Sequence, residues 1–513
     1  MNKSFYITTP IYYPSAKPHM GHAYSSIIAD FFARFKTIDG FDVHFLTGTD
    51  EHGLKIQRAA EKKGLDTLKF CDEISETFRN LSKTLNLTNT DFIRTTENRH
   101  KLSVQNLWKQ LLKNDDIYLS KYSGWYSISD EAFYSEDEVE EFENSKRAIS
   151  SKSPVEWLDE ESYFFRLSKW EKPLLEYYEK NPYFISPQSR KNEVISFVKS
   201  GLKDLSVSRK SFSWGIPVPN DKEHVIYVWL DALTNYISAL NYPDIQDKLF
   251  KKFWPASIHL IGKDILRFHA IYWPAFLMAA NLPLPNKVYG HGWILSGEEK
   301  MSKSKGNILD PIEIINKYGL DPLRYYLIKE VSFGNDGNIS QERLEDCINS
   351  DLANNFGNLC QRVTAFAMKN CGGKIPDNIK LQKEDLKILD RFKDNLDLIR
   401  TKIDEQDINF YIDFIVNSLF ETNKYFNDQE PWKKKEDRVR LNTIVYTTLE
   451  VVRKISFMLY PIIPESVLKA LNIFDIKEKD IKFSTLENHD YLEVNVSLKK
   501  IDILFKKVEK KDD

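Results

Sequence analysis

Apolar residues follow one another in a short strand-like run at the start of the chain and then recur at helical spacing. Residues 5–9 are aromatic or β-branched, the types that suit a buried strand, and Pro10 and Pro14 are expected to end that strand. From 23 to 35 apolar residues recur every three or four positions, which predicts a helix that begins near Gly21. We therefore expect a buried strand, a short loop and a helix.

The same alternation of strand-like and helical segments continues to about residue 310. Further strands are predicted at 42–47, 92–94, 225–230, 257–261 and 288–295, and further helices at 65–85, 102–112, 232–240 and directly after Gly262. Strands separated by helices are typical of a parallel sheet covered by helices on both faces. The predicted fold class is therefore α/β, with a Rossmann-like doubly wound parallel sheet.

Two stretches depart from this pattern. Short aromatic strands and an acidic run from 117 to about 192 predict an inserted connective domain made of hairpins. Beyond residue 310 apolar residues step by three and four, which predicts a C-terminal α-helical bundle at 351–471, and a last helix is predicted at 498–508. The expected domains are the two halves of the sheet domain at 1–116 and 223–310, the insertion at 117–222, a linker at 311–350, and the bundle with its tail at 351–513.

Composition fits a multidomain globular protein. The chain has 513 residues, 42% hydrophobic and 29% charged, with a formal net charge of -3, so nucleic acid would have to be bound by local basic patches. No leader segment precedes the first strand, and the most apolar stretch, 271–280, is too short to span a bilayer. We therefore expect a cytoplasmic protein that does not bind a membrane.

Two histidines mark the first candidate site. His19 and His22 flank Met20 and Gly21 where the predicted helix begins, and a helix N-terminus attracts anions through its unpaired N–H groups and dipole. Gly21 has no side chain to keep a flat ligand off the backbone. The arrangement suggests a nucleotide phosphate site, although a pair of surface histidines or a metal site would fit the same pattern.

Strand ends supply two more candidates. Asp50 follows the strand at 42–47 and could pair with a ligand ammonium group or face solvent as an ordinary loop carboxylate. Lys300, Lys303 and Lys305 lie between Gly297 and Gly306, and the stretch from 300 to 304 reads KMSKS. Such a loop could close on a polyphosphate, and a lysine-rich surface turn is the alternative.

His19 to His22 and KMSKS, taken together and in this order, resemble the two signature motifs of the class I aminoacyl-tRNA synthetases, which contact ATP. Further stretches resemble the methionyl-tRNA synthetases along nearly the whole chain. They are PIYYP at 10–14, TGTDEHG at 47–53, YVWLDALTNY at 227–236 and IGKDILRFHAIYWPA at 261–275. The resemblance implies that L-methionine is activated by ATP with Mg²⁺ and transferred to tRNA(Met), with no role for DNA.

The resemblance also implies residue roles. Methionine would be surrounded by Ile11, Tyr13, Asp50, Trp229, Ala232, Tyr236, His269 and Trp273. ATP would be bound by Tyr12, His19, Gly21, His22, Gly262, Asp264, Lys300, Ser302 and Lys303, of which His19, His22, Lys300 and Lys303 would be catalytic. The tRNA anticodon would be read by Asn358, Arg362 and Trp432.

The chain also departs from parts of that family. Relatives often carry zinc knuckles built from paired cysteines in the insertion, but here Ser127 and Asp130 lie near those positions, and Cys71, Cys347, Cys360 and Cys371 are scattered, so no structural zinc is expected. The stretch after the bundle shows no obvious tRNA-binding barrel, which drives dimer formation in some relatives, so we expect a monomer. Another class I synthetase, a nucleotidylyltransferase of similar fold and a non-catalytic tRNA-binding paralogue remain alternatives.

Overall fold

The computed structural model describes residues 3–14, 17–127, 132–143, 145–296, 299–300 and 310–509. The strands of these ranges are β1 (Ser4–Tyr12), β2 (Asp42–Thr49), β3 (Asp91–Arg94), β4 (Ile117–Ser127), β5 (Ala132–Tyr134), β6 (Val139–Phe142), β7 (Ser145–Ala148), β8 (Pro154–Phe165), β9 (Ile185–Ser186), β10 (Leu205–Ser206), β11 (Ser208–Arg209), β12 (Ile216–Val218), β13 (Asp221–Ile226), β14 (Ile258–Gly262), β15 (Val288–His291), β16 (Ile294–Ser296), β17 (Glu299–Lys300) and β18 (Gly337–Ile339). The α-helices are α1 (Met20–Ile38), α2 (Leu54–Lys62), α3 (Thr67–Thr84), α4 (Asn98–Lys113), α5 (Glu171–Lys180), α6 (Gln188–Lys199), α7 (Val228–Leu233), α8 (Asn235–Ser238), α9 (Lys248–Phe253), α10 (Trp273–Ala279), α11 (Pro311–Tyr318), α12 (Leu320–Glu330), α13 (Gln341–Cys347), α14 (Asn358–Asn370), α15 (Lys383–Asp404), α16 (Ile408–Asp428), α17 (Arg438–Leu459) and α18 (Pro464–Leu471).

These elements form two compact units. The sheet unit contains the described residues of 4–18 and 44–291, and the bundle unit contains Lys3, residues 19–43 and the described residues from 292 onwards. Among the described helices, none has both the length and the low charge that a bilayer-spanning helix needs.

A six-stranded sheet forms the centre of the sheet unit, in the order β3-β2-β1-β14-β15-β9. Strands β2 and β3, β1 and β14, β14 and β15, and β15 and β9 pair in parallel. Tyr6, Ile7, Leu260 and Ile261 are buried, as expected for strands covered on both faces. The predicted α/β class is confirmed.

Strand β1 is longer than expected. It runs through Pro10 to Tyr12, so the prediction that Pro10 ends the strand is wrong. Proline removes one N–H donor but keeps an extended backbone, which a strand can accommodate at a single position.

The predicted strand at 225–230 is also wrong beyond Ile226. Strand β13 pairs antiparallel with β11 and β12 in a separate three-stranded sheet, and α7 begins at Val228. The predicted helix at 232–240 is the end of α7 followed by the short α8. Residues 225–230 are apolar at every position, so the sequence shows neither a strand period nor a helical period there. It therefore does not reveal where the strand ends and the helix begins.

The predicted strand at 288–295 is two strands, β15 and β16, with Gly292 between them. A Cβ atom on Gly292 would lie 2.1 Å from the carbonyl oxygen of Asn335, so only glycine allows this close approach of two backbone segments. Strand β16 then pairs in parallel with β18.

The insertion begins with hairpins, as predicted, but does not consist of them. Strands β4 and β8 pair antiparallel over most of their length, from Ile117 opposite Phe165 to Tyr126 opposite Glu156. Helices α5 and α6 follow, and between them β9 joins the edge of the six-stranded sheet through Ile185 opposite Val288. The expectation of hairpins up to about residue 192 is therefore wrong after β8.

The bundle unit is largely helical. The apolar stripe of α15 is buried as predicted, and α15, α16 and α17 pack against one another through it. Helix α1 also belongs to this unit and is buried on every side from Ala23 to Lys36. The predicted helix at 498–508 is wrong, because that segment is irregular and donates backbone N–H groups to other parts of the bundle, as from Leu498 to the Gly373 carbonyl.

Candidate active site

The first candidate pocket lies at the carboxyl edge of the six-stranded sheet. Strands β1, β2 and β14 end there, at Tyr12, Thr49 and Gly262. The N–H of Asp50 donates to the Tyr12 carbonyl at 3.0 Å, so the loop after β2 lies against the end of β1. Ligands of parallel α/β sheets bind beyond such strand ends. The structure therefore brings Tyr12, Asp50 and Gly262 to one edge.

Two buried rings in this region are oriented by a chain of hydrogen bonds. His269 Nδ1–H donates to the Ile265 carbonyl at 3.0 Å, which leaves Nε2 to accept the Tyr236 hydroxyl at 2.7 Å. Burial lowers the pKa of His269 to about 4, although the Ile265 carbonyl and the Asp264 carboxylate act in the opposite direction. The imidazole is therefore neutral near pH 7 and holds the tyrosine ring in place.

Aromatic rings surround Tyr236. Its ring stacks on His259 with centroids 4.1 Å apart, and Trp273 lies 6.1 Å away. Trp229 stacks on Phe268 at 3.5 Å. Walls of this kind suit a soft, apolar ligand group such as a thioether. His259 was missed in the sequence analysis, because a buried strand residue shows no local signal of what stacks on it.

The other predicted methionine contacts lie in two places. Ala232 is buried, and Ile11 packs against the same apolar cluster as Tyr236. Tyr13 instead packs in a separate small apolar cluster, and its hydroxyl donates to the His52 carbonyl at 3.2 Å. The ring of Tyr13 therefore packs in a different apolar cluster from that of Tyr236.

Asp50 is a buried carboxylate, with 6% of its surface exposed. Burial raises the pKa of Tyr236, hydrogen bonds with Asn235 and Thr8 act in the opposite direction, and the negative charges of Tyr12 and Asp50 add to the increase. Asp50 is thus within electrostatic range of the aromatic walls. A carboxylate beside an apolar hollow is suited to bind the ammonium group of a ligand whose side chain fills the hollow.

The loop that carries Asp50 is held by its next residue. Glu51 accepts two hydrogen bonds from Arg94, at 2.6 and 3.0 Å, and further hydrogen bonds from the hydroxyls of Ser75 and Thr96. Glu51 itself is fully buried. This anchor was also missed in the sequence analysis, because its partners lie 24 to 45 residues away in the chain.

His19 and His22 cap helix α1 in the bundle unit. The N–H of Gly21 donates to His19 Nδ1 at 3.1 Å, and the N–H of His19 donates to His22 Nδ1 at 3.1 Å. Burial, together with the charge of His19, holds the pKa of His22 well below its ordinary value. A neutral ring that accepts at Nδ1 carries its proton on Nε2, so each imidazole has one N–H donor for an anion.

Both predicted glycines are crowded by side chains. A Cβ atom on Gly21 would lie 2.9 Å from the His19 ring, so the space expected to admit a flat ligand is filled by that ring. A Cβ atom on Gly262 would lie 2.7 Å from Asp264 Oδ1. Glycine at these positions therefore allows His19 and Asp264 to fold back over the backbone.

The predicted KMSKS loop is described only at its first residue. Lys300 ends β17, and its backbone lies opposite Leu295 in an antiparallel pair with β16. Ser302 and Lys303 lie outside the described residues.

The predicted anticodon residues lie in the bundle unit. Asn358 is the exposed first residue of α14, and Arg362 follows one turn later. The Arg362 guanidinium lies 5.0 Å from the Phe426 ring centroid and donates to the Asn427 side chain, while the Phe426 ring lies 6.2 Å from Trp432. Arg362 and Trp432 therefore belong to one cluster around Phe426, and Trp432 is 40% exposed. Phe426 was not predicted, because it reads as an ordinary core position of α16.

The expectation that the protein has no structural zinc stays a prediction. Within the described ranges, no group of three or more His, Cys, Asp or Glu side chains is placed to hold a metal ion. Ser127 is buried in β4, and Asp130 lies outside the described residues. The four cysteines are free thiols, and only Cys371 is partly exposed.

Comparison with known proteins matches two family models to the chain. The family model for class I tRNA synthetases (M) matches residues 5–142 and 138–364, and the model for the anticodon binding domain of methionyl tRNA ligase matches residues 375–513.

Similar proteins cover nearly the whole chain. The methionine–tRNA ligase of Brucella suis is 49% identical over 483 residues, covering 94% of each chain, and that of Rickettsia felis is 50% identical over 517 residues, covering 99% of each chain. The structure of Mycobacterium tuberculosis methionyl-tRNA synthetase in complex with methionyl-adenylate matches with a TM-score of 0.95 at 43% identity, covering 98% of this chain and 99% of that one. The apo form of the same enzyme matches with a TM-score of 0.89 at 39% identity, covering 99% of each chain. The chain therefore belongs to the class I methionyl-tRNA synthetases and is an aminoacyl-tRNA ligase.

Proposed function

We propose that this ligase joins L-methionine to the 3′ end of tRNA(Met) through the side chains described above. In the first step a methionine carboxylate oxygen attacks the α-phosphorus of ATP, the bond to the β-phosphate breaks, and pyrophosphate leaves with the electron pair. In the second step a hydroxyl of the 3′-terminal ribose attacks the methionyl carbonyl, and AMP leaves. Since the substrates supply both nucleophiles, the protein has to align them and stabilise charge on phosphate oxygens.

The buried carboxylate of Asp50 beside the aromatic walls carries this proposal. Asp50 would bind the methionine ammonium group, and Trp229, Tyr236 and Trp273 would enclose the thioether. Ile11, Tyr13, Ala232 and His269 would complete the methionine site, and the Tyr13 hydroxyl would also support the loop through the His52 carbonyl.

The nucleotide would be bound by a second set of groups. His19 and His22, protonated on Nε2, would donate to phosphate oxygens. Tyr12, Gly21, Gly262 and Asp264 would bind the remainder of ATP, and Lys300, Ser302 and Lys303 would close on the pyrophosphate. No cluster of metal ligands is present in the described ranges, so Mg²⁺ would arrive as MgATP, bound through phosphate oxygens.

The bundle would read the anticodon. An exposed indole, an arginine and an amide, as in Trp432, Arg362 and Asn358, can stack on and hydrogen-bond unpaired bases. We also propose a cytoplasmic monomer without structural zinc. Its functional parts would be a catalytic domain at 1–116 and 223–310, a connective insertion at 117–222, a stem-contact linker at 311–350, and an anticodon-binding bundle with its tail at 351–513.

The test is ATP–pyrophosphate exchange measured with each amino acid on wild type and on Asp50→Asn. Wild type should exchange only with methionine. Asp50→Asn should raise the methionine KM about 10- to 100-fold, since a hydrogen bond to a charged group contributes about 1.5–3 kcal/mol, and should leave the ATP KM within about twofold.

The matched control is Asp116→Asn. Asp116 is 2% exposed and accepts hydrogen bonds from Lys169 at 2.7 Å and Trp170 at 3.2 Å, so this variant also removes a buried charge from the sheet unit. Its methionine KM should be unchanged. An unchanged methionine KM in Asp50→Asn would refute the proposed role of the carboxylate.

A further inference from the structure

A buried carboxylate next to the proposed pocket links two segments that line it. Asp231 lies on α7 and is fully buried. Its Oδ2 accepts a hydrogen bond from His52 Nδ1 at 2.6 Å, and its Oδ1 accepts one from His100 Nε2 at 2.7 Å. Both carboxylate oxygens are therefore bonded to imidazole N–H groups from segments far away in the chain.

The second of these imidazoles is itself fixed. His100 is fully buried near the start of α4, and its Nδ1 lies 3.0 Å from Ser238 Oγ on α8. Asp231 is thereby connected to α4 directly and to α8 through His100. Burial raises the pKa of Asp231, but the charge of His52 and the hydrogen bonds from both histidines outweigh it and lower the pKa to about 2. The group is therefore a carboxylate across the physiological range.

The position of Asp231 in its helix is what ties it to the pocket. Trp229 and Ala232 lie on either side of it on α7, and both are proposed to line the methionine site. His52 is two residues from Asp50 in the loop after β2. The Asp231–His52 hydrogen bond therefore joins the segment that would bind the ammonium group to the segment that would enclose the side chain.

We propose that Asp231 is a positioning residue for methionine, which sets the distance between Asp50 and the wall formed by α7. The proposal rests on the proposed role of Asp50 as the ammonium-binding group. Glu51, between Asp50 and His52, holds the same loop through Arg94, so both residues that follow Asp50 are anchored by buried hydrogen bonds. A ligand bound at both ends depends on the separation of its two contacts, and a displacement of about 1 Å can cost about 100-fold in rate.

The experiment compares steady-state exchange for Asp231→Asn, Asp231→Ala and His100→Gln with Asp50→Asn and wild type. Asp231→Asn keeps the shape of the side chain and can form one or both hydrogen bonds, so we expect a methionine KM raised less than about tenfold. Asp231→Ala removes both hydrogen bonds and should raise it about 10- to 100-fold, a range typical of removing groups that orient a ligating residue. The ATP KM should stay within about twofold in every variant.

The methionine KM and the ATP KM together distinguish a positioning role from general destabilisation, because only loss of positioning should raise the methionine KM alone. Asp116→Asn, the buried carboxylate control, should lower the melting temperature without changing either KM. If Asp231→Ala does not fold, His100→Gln tests the same link through one hydrogen bond, with methionine binding measured by calorimetry.

Two results would overturn the inference. One is a methionine KM in Asp231→Ala and His100→Gln equal to that of wild type, and the other is an equal rise of the methionine and ATP KM values. If Asp50→Asn raises the methionine KM while the Asp231 variants do not, the inference fails and the proposed function stands. If Asp50→Asn has no effect, the proposed function itself fails.

Discussion

One proton, on Nδ1 of His269, orients the hydroxyl of Tyr236. Because Nδ1–H donates to the Ile265 carbonyl, Nε2 can only accept, and the tyrosine hydroxyl has to point towards it. The consequence is a tyrosine ring held at a fixed angle against His259 and Trp273. The hydrogen bond and the ring contacts therefore restrict how the Tyr236 ring can rotate.

Tyr236→Phe tests this arrangement. The variant keeps the ring but leaves buried His269 Nε2 without its donor, which costs about 1–3 kcal/mol. We expect the methionine KM to rise about 5- to 100-fold, with an unchanged ATP KM, in pyrophosphate exchange. Equal KM values for methionine in Tyr236→Phe and wild type would show that the hydroxyl does not shape the pocket.

The low pKa of His269 predicts a dependence of stability on pH. The pKa of about 4 in the folded state lies below the ordinary value of 6.5, so the unfolded chain takes up the proton first as the pH falls. The resulting stabilisation is fully present above pH 6.5 and is lost progressively between pH 6.5 and pH 4. Relative to His269→Gln, wild type should lose about 1–1.5 kcal/mol of unfolding free energy between pH 7.5 and pH 5.5, measured by urea denaturation. A difference that does not change with pH would contradict a neutral, buried imidazole.

Single residues could be predicted only where neighbours in the chain share the site. His19 and His22 are predictable because they lie within one helical turn at a helix start. Asp231 and His100 are 131 residues apart, and neither shows a local signal of the other. The position of Asp50 after a predicted strand indicates that it could face a ligand. Its burial depends on the folded structure and cannot be predicted from that position.

At the scale of elements, the sequence predicts that α1 is a helix, but it does not predict which side chains pair with the buried charges of that helix. Its apolar positions recur at helical spacing, but the helix is buried on every side, so Asp30 and Arg34 are buried as well. Asp30 Oδ2 accepts hydrogen bonds at 2.7 Å from Arg34 on the same helix and from Arg324 on α12. Arg324 in turn donates to the carbonyls of Pro461 and Ile462, beyond the end of α17. The Asp30 carboxylate thus joins α1 to α12, and Arg324 joins both to the segment that follows α17.

Asp30→Ala should be strongly destabilising. The variant leaves two buried guanidinium groups without their shared carboxylate, and breaking a buried ion pair typically costs about 3–5 kcal/mol. The control is Asp397→Ala, which removes a carboxylate that is 96% exposed and paired with Arg400, where about 0–1 kcal/mol is expected. Urea denaturation monitored by circular dichroism measures both. A cost below 1 kcal/mol for Asp30→Ala would mean that the two arginines find other partners.

Among the elements, those whose apolar residues recur with a regular period were predictable, as in α1 and α15, whereas an unbroken apolar run was not. Helix α15 has an apolar stripe and a solvated face, so its period appears directly in the sequence. The run at 225–230 is apolar throughout, and the helix that begins at Val228 could not be distinguished from a continued strand. The irregular backbone at 498–508 is determined by hydrogen bonds to distant segments, as from Val508 to Asn349.

At the scale of the whole molecule, amino acid activation and tRNA selection are proposed to depend on different residues. Trp432→Ala should therefore reduce tRNA aminoacylation without affecting pyrophosphate exchange. Stacking of one base on an aromatic ring contributes about 1–3 kcal/mol, so charging at low tRNA concentration should fall about 5- to 100-fold. Phe420→Ala removes another exposed ring of the bundle, 62% exposed on α16, and serves as the control. Equal charging by Trp432→Ala and Phe420→Ala would contradict an anticodon role for Trp432.

The strand formed by Ile185 and Ser186 makes the insertion inseparable from the sheet that it interrupts. These two residues, which follow the hairpins and α5, form the edge strand and pair with Val288 and Tyr289. A chimaera that exchanged 117–222 for the corresponding segment of a relative would therefore also replace β9, the edge strand of the six-stranded sheet. Exchanging only the hairpins, β4 through β8, would keep that edge strand. The end of β8 is therefore the better boundary for such a chimaera.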